Sequence, residues 1–255
     1  PHLVSFTERI QVDGEPISEH DVVSTADAIR FRLAEAADIA PPTFFEFTTL
    51  LALLYFRRRN VDWAVIETGM GGRLDATCIV DPAVTVLTRI DLDHQQFLGA
   101  TLEAIAREKA GIMKEGVPVV SAAQKDEAAR VLADAAKMLG CPISTYGRDF
   151  TADIEESTLD GMVMNYKSST ETIARIEVPL AGRHQAENTA VAIAAFRQLF
   201  PEIQSEHVLN SGMHGSVSQD TVRRGIAQVR WPGRLEIVCR DPLTIVDGAH
   251  NPAGA

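Results

Sequence analysis

The run Trp63-Ala-Val-Ile-Glu67-Thr-Gly-Met-Gly-Gly-Arg-Leu-Asp75, with Ala83-Val-Thr-Val-Leu-Thr88 and Asp91-Leu-Asp-His94 after it, decides the fold. Residues 63–67 and 83–88 are short, nearly continuous apolar runs, which is how strands of a parallel sheet read when helices cover both faces. Glycines at 69, 71 and 72 mark a turn between them. A further apolar run at 117–121 and an Ala-rich helical stretch at 126–139 continue the alternation. The expectation is therefore an α/β fold with a mostly parallel sheet and flanking helices.

Ligands of open parallel sheets bind beyond the carboxyl ends of the strands, where the chemistry of this stretch is concentrated. Glu67 closes the first run, and a carboxylate there is placed to hold Mg²⁺ beside nucleotide phosphates. Taken alone, Glu67 reads equally well as a surface acid. A dinucleotide fingerprint would need glycine at position 74, where Leu74 stands, so a nicotinamide cofactor is not indicated. In residues 91–94 a carboxylate adjoins an imidazole and can make or orient a metal site. A lone loop histidine is an ordinary structural feature; what draws attention to His94 is Lys109, fifteen residues on.

At about 100° per residue, Leu102, Ile105, Ala106, Ile112 and Met113 share one helix face, with Lys109 near its middle. A lysine on a buried face must snorkel, find an anion, lose its proton or be modified, because an isolated buried ammonium is too costly. On physical grounds an ion pair with Glu67 or Asp93 ranks above reaction with CO₂ to a carbamate, which would turn a cation into a metal-binding anion. Further along, Asn188 opens an apolar helix and either caps it or presents its amide to a base, capping being the simpler reading. Arg234 suits a phosphate. Asp247-Gly-Ala-His250-Asn251 ends an apolar run with a carboxylate, an imidazole and an amide in close succession.

Bulk properties limit the function classes. The 255 residues carry a net charge of −11 and no clustered Lys/Arg run, which argues against a nucleic-acid partner. The three cysteines, Cys78, Cys141 and Cys239, have neither CxxC spacing nor an even count, so no disulfide framework or zinc site is indicated. No apolar run approaches the roughly 20 residues needed to cross a bilayer. A soluble cytoplasmic protein with no membrane partner is expected. The chain opens on Pro1 without Met and stops just after an apolar run, so a portion of a longer polypeptide is expected.

In chain order, residues 1–15 read as a strand and turn reversing at Asp13-Gly14. Ser18 with Asp21, and Thr43 with Glu46, are helix-start signals, the second leading to a basic end at Arg57-Arg58-Arg59. Residues 150–178 alternate like an antiparallel hairpin or side sheet. Residues 183–188 open a helix to position 200, residues 201–220 read as a polar loop, and Ser218 caps a helix to 229. Residues 231–234 read as a hinge, followed by strands at 235–239 and 243–247 that open a second domain.

These residues also carry a family resemblance. Glu67-Thr-Gly-Met-Gly-Gly-Arg-Leu-Asp-Ala-Thr77, Leu92-Asp-His94, Arg107-Glu-Lys-Ala-Gly-Ile112, Gly182-Arg-His-Gln-Ala-Glu-Asn188, Trp231-Pro-Gly-Arg234 and Asp247-Gly-Ala-His-Asn-Pro252 together resemble folylpolyglutamate synthase, in bacteria usually bifunctional with dihydrofolate synthase. The motifs span the chain in the family's order, and Pro1-His-Leu and Thr7-Glu-Arg-Ile10 fit as well.

The resemblance implies the Mur ligase architecture: a P-loop ATPase domain at 1–229, a linker at 230–235 and the start of a Rossmann-like glutamate-ligase domain at 236–255. It also implies a monomeric ligase that uses ATP and Mg²⁺, one ion or two, to join L-glutamate to folate or dihydropteroate through an acyl phosphate. By the same resemblance Glu67 and His94 are Mg²⁺ ligands, and Lys109 is a carbamylated lysine that organises the second metal and the acyl phosphate. That reverses the ion-pair ranking. Asn188 is a nucleotide contact, Arg234 reaches the phosphates, Asp247 contacts the ribose and His250 belongs to the interdomain nucleotide site. The pteridine surface falls on the helix at 44–47 and on residues 1–9.

The family's Gly-rich phosphate loop and a Mg²⁺-binding serine precede Pro1, and most of the glutamate-binding domain follows Ala255, so this stretch alone is expected to be inactive. Cys78, Arg89 and Asp91 depart from the family's usual residues. The competing readings are a Mur-type peptidoglycan ligase, a truncated nucleotide-binding module without catalysis, and a metal-dependent hydrolase using Glu67 and His94.

Overall fold

Side-chain caps start α-helices at Ser18, Thr43, Thr101 and Ser218. The computed structural model describes residues 2–36, 40–200 and 217–249. These fall into two compact units, residues 1–80 and 81–255. In the first, β1 (Gln11–Val12) and β2 (Glu15–Pro16) pair antiparallel across Asp13 and Gly14. Both turn residues have positive φ, 54° and 82°, the conformation a two-residue hairpin of this hand demands. Helix α1 (Glu19–Glu35) starts where Ser18 accepts from the Asp21 N–H. Helix α2 (Phe44–Arg59) starts at a reciprocal capping box between Thr43 and Glu46 and stops at left-handed Asn60, its last turn holding the three arginines. Ile10, Ile17, Ile29, Leu51 and Tyr55 form the core of this unit.

The second unit contains β3 (Thr85–Leu87), α3 (Gln95–Leu98), α4 (Leu102–Ala110), β4 (Val119–Ser121), α5 (Asp126–Met138) and β5 (Ile143–Thr145). After them come β6 (Phe150–Thr158), β7 (Gly161–Ser168), β8 (Thr172–Val178), α6 (His184–Leu199), α7 (Gln219–Ala227), β9 (Glu236–Arg240) and β10 (Leu243–Val246). The expected parallel sheet forms in the order β3-β4-β5. Its central strand is buried on both faces: Val119 enters the core of α4 and α5, whereas Val120 enters the core shared by α6 and the β6-β7-β8 sheet. The alternation of side chains in a strand sends neighbouring valines into different cores. Strands β6-β7-β8 are antiparallel, as the alternation at 150–178 predicts. Gly161 sits at their tight turn with φ 143°, where a β-carbon would lie 2.3 Å from the Val178 carbonyl oxygen. The hairpin β9-β10 is antiparallel, with Leu243 and Val246 exposed.

Two local expectations change. Residues 63–67 form no strand; Val65 is 99% exposed and Trp63 49%. Apolar content makes a segment ready for a sheet, but a strand exists only through ladder hydrogen bonds to a neighbour. Helix α7 ends at Ala227 rather than 229. Of the loop expected at 201–220, residues 201–216 lie outside the described residues.

Candidate functional site

Strands β3 and β4 run parallel, so the segments that leave their carboxyl ends, 88–94 and 122–125, travel side by side. The Ala122 N–H donates to Leu87 O at 2.8 Å as a last backbone rung. Past that point Gln124 continues the pairing with its side chain. Its Oε1 accepts from the Ile90 N–H at 3.0 Å, while Nε2 donates to Thr88 O at 3.0 Å and to Ser121 Oγ at 3.3 Å. Next to it, Lys125 Nζ donates to Asp91 Oδ1 at 2.9 Å, and the same oxygen accepts from the Leu92 N–H at 2.9 Å. The Lys125 ammonium, then the Leu92 amide, hold the Asp91 carboxyl below the usual carboxylate range.

This fastened segment delivers His94. The residue is left-handed, φ 48°, at the start of α3, a conformation that histidine tolerates better than most non-glycine residues. Its N–H donates to Asp93 Oδ1 at 2.8 Å, and its Nε2 lies 3.7 Å from Asp93 Oδ2. The half-exposed imidazole lines an open cavity of about 360 Å³ with Leu92, Asp93 and Phe97.

Lys109 lies in the last turn of α4, within the arc of buried Ile105, Ala106 and Ala110, yet it is itself only half-buried. Of the two partners weighed for its ammonium, Glu67 belongs to the other unit and Asp93 lies beside His94. Partial exposure lets the four-carbon stem lie along the apolar face with its head in water. Glu67 belongs to the first unit and is exposed. The glycine turn after it is organised by Asp75, whose Oδ2 accepts from the Met70 N–H at 2.9 Å and whose Oδ1 accepts from Thr77. Gly69 lies against the ring of Phe45, where a β-carbon would stand 2.5 Å from the ring, so the turn packs on α2.

Taken singly, Glu67 in the first unit and Asp93 in the second carry carboxylate oxygens, the hard donors that Mg²⁺ prefers, and His94 beside Asp93 adds an imidazole nitrogen. As an ammonium Lys109 is no ligand; it enters such a set only as a carbamate. Among the described residues no three His, Cys, Asp or Glu side chains converge on one point.

A second cluster forms around the start of α6 and residues 233–235. Glu187, in the first turn, accepts from the Ala123 N–H at 2.7 Å and so ties the helix start to the end of β4. Gly182 has φ 97° and lies against His184 and Leu235. Asp247 Oδ2 accepts from the Leu235 N–H at 2.7 Å and Oδ1 from the Ala249 N–H at 2.6 Å. Those two amides, with Arg234 and His184 nearby, hold its carboxyl below the usual range. The Gly248 N–H donates to Gly233 O at 2.8 Å, which brings the Arg234 guanidinium alongside Gly248. Arg234, Asp247 and the helix start are thus brought together.

Asn188 does not cap α6. Arg183 holds that position, and the exposed Asn188 amide donates to Gln185 Oε1 at 3.1 Å. His250 lies outside the described residues. Sequence reasoning passed over Gln124, Lys125, His184 and Glu187. Of these, His184 and Glu187 stand inside a quoted motif, whereas Gln124 and Lys125 gave no signal, because a polar pair between a strand and a helix reads as an ordinary loop.

A parallel sheet whose carboxyl ends lead onto a helix start, with an arginine-bearing segment beside it, is the architecture of an α/β ligand-binding fold. The chain belongs to the Mur ligase family: the family described as Mur ligase middle domain matches residues 22–196. It is 38% identical over 257 aligned residues to a folylpolyglutamate synthase of Lacticaseibacillus casei, covering 100% of this chain and 58% of that protein. It is 35% identical to a dihydrofolate synthase/folylpolyglutamate synthase of Bacillus subtilis, covering 100% of this chain and 57% of the relative. A solved complex of folylpolyglutamate synthase with AMPPCP and folate superimposes with a TM-score of 0.89 at 37% identity, over 100% of this chain and 60% of that one. The chain therefore spans somewhat more than half the length of these relatives.

Proposed function

We propose that the polypeptide is an ATP-dependent amide ligase, acting as a monomer in the cytoplasm, that adds L-glutamate to folates, to dihydropteroate, or to both. The observation that carries this reading is the likeness of the whole chain to an enzyme whose complex holds an ATP analogue and folate. In the reaction a carboxylate oxygen of the pterin substrate attacks the γ-phosphorus of ATP and ADP leaves. The amine of glutamate then adds to the acyl carbon, phosphate departs, and one proton is released from the nitrogen as the amide forms. Negative charge develops on phosphate oxygens in the first step, and on the acyl oxygen and then the departing phosphate in the second, so fixed cations and dipoles do most of the work.

Residues 1–229 are proposed as the ATPase domain, 230–235 as the linker and 236–255 as the start of the glutamate-ligase domain. Glu67 and His94 would hold Mg²⁺, one ion or two, with Asp93 orienting the imidazole. Mg²⁺, when bound, supplies charge neutralisation at the phosphates. Lys109, as a carbamate, would add a carboxylate-like group able to join a metal site. Arg234 would contact ATP phosphates, Asp247 the ribose hydroxyls and Asn188 the nucleotide, with His250 completing that site. The helix start at Phe44 and the segment before Arg9 are proposed as the pterin-facing surface; there Arg9 lies 5.6 Å over the Phe44 ring.

The test measures ADP release by the full polypeptide with glutamate and either dihydropteroate, tetrahydrofolate or a UDP-muramyl peptide. Release with either pterin substrate is expected. Release only with the muramyl substrate would assign the chain to cell-wall ligation instead.

A further inference from the structure

We infer that Gln124 is a positioning residue for His94, and that the Asp91–Lys125 ion pair is the second fastening of the same clamp. This rests on the ligase reading above. Three observations carry it. The backbone rungs between β3 and β4 end at Ala122 N–H to Leu87 O. Beyond them the Gln124 amide holds the departing segment at both a carbonyl, Thr88, and an N–H, Ile90, as a neighbouring strand would. One residue further, Lys125 holds Asp91, whose carboxylate also fixes the Leu92 N–H. From that point to His94 the chain turns into a left-handed residue on the rim of an open cavity. Ile90 and Leu98 anchor the two ends of the segment in the core, and Gln124 and Lys125 hold the stretch between them; partners behind a ligand commonly change metal affinity by about 10- to 100-fold.

The two fastenings differ chemically, which separates them by experiment. Gln124→Glu keeps an acceptor for the Ile90 N–H but sets a carboxylate against the Thr88 carbonyl, and Gln124→Ala removes both contacts. Lys125→Ala frees Asp91, and the exchange Asp91→Lys with Lys125→Asp restores a pair with reversed polarity.

The experiment uses the full polypeptide. Hydrogen–deuterium exchange in metal-free protein is expected to quicken in the 88–98 peptide of Gln124→Ala while peptides of α5 and β7 keep their rates. Mn²⁺ binding, followed by loss of the free-ion EPR signal in the presence of AMPPCP, is expected to weaken about tenfold or more. The rate at saturating Mn²⁺ should recover most of the wild-type value. Lys125→Ala is expected to show a smaller shift in the same direction, and the charge exchange to reverse part of it.

Unchanged exchange at 88–98, or unchanged Mn²⁺ affinity in both Gln124→Ala and Lys125→Ala, overturns the clamp. A Gln124→Ala protein that exchanges faster everywhere also overturns it, because the residue is then general packing. If wild type binds Mn²⁺ with AMPPCP but ligates no glutamate, the ligase reading fails while the clamp stands.

Discussion

Lys109 is the residue on which the proposed chemistry turns most sharply. It is half-buried on α4, and as a carbamate it would carry the negative charge that a metal ion requires. Lys109→Ala should abolish ligation, bicarbonate should restore nothing, and a small carboxylic acid should recover part of the rate; an Ala variant with full ADP release contradicts the carbamate role. Tyr166 gives a prediction in a different pH range. It is 3% exposed, and burial pushes its phenol up to about 12. A raised folded-state value adds stability that is complete below the unfolded value of about 10 and is lost as pH rises through the folded one. Alkaline unfolding between those limits should therefore shift in Tyr166→Phe relative to wild type, and an ultraviolet titration should find one phenol ionising only near the top of that range or on unfolding.

At the scale of elements, caps and one buried ion pair account for much of the local order. Thr43 and Glu46 satisfy each other's backbone donors at the start of α2, so Thr43→Ala should cost about 1 kcal/mol in a urea titration. Arg197 on α6 donates to both oxygens of Glu171, just before β8, and to Val217 O, with side chains only 10% and 6% exposed. Removing one partner leaves a buried charge uncompensated, and Glu171→Ala should cost about 3–5 kcal/mol. A loss below 1 kcal/mol in that variant would mean water replaces the carboxylate. These two devices differ in how they could be read. A capping box is contained in four consecutive residues and was legible, whereas Glu171 and Arg197 lie 26 positions apart and nothing local links them.

At the scale of the whole molecule, the chain holds separate cores in its two units, with Leu51 central to the first and Ile105, Val120 and Ile176 to the second. Leu51→Ala should cost about 2–5 kcal/mol, and hydrogen exchange should place the loss of protection in residues 2–80. Loss spread evenly to β7 and β8 would show that the units unfold as one. The sequence by itself determined the helix starts at Ser18, Thr43 and Ser218, the β1-β2 turn, the antiparallel run at 150–178 and the parallel alternation, because each rests on neighbours within one turn or one strand. It also pointed to Glu67, His94 and Lys109 as chemistry out of place. Only the tertiary structure decided that residues 63–67 carry no ladder, that Lys109 is half-exposed, and that Gln124, Lys125 and Glu187 fasten the ends of β3 and β4. The physical reason is that pairing, burial and side-chain bridging depend on segments tens of residues apart, and no periodicity in a single segment records its distant partner.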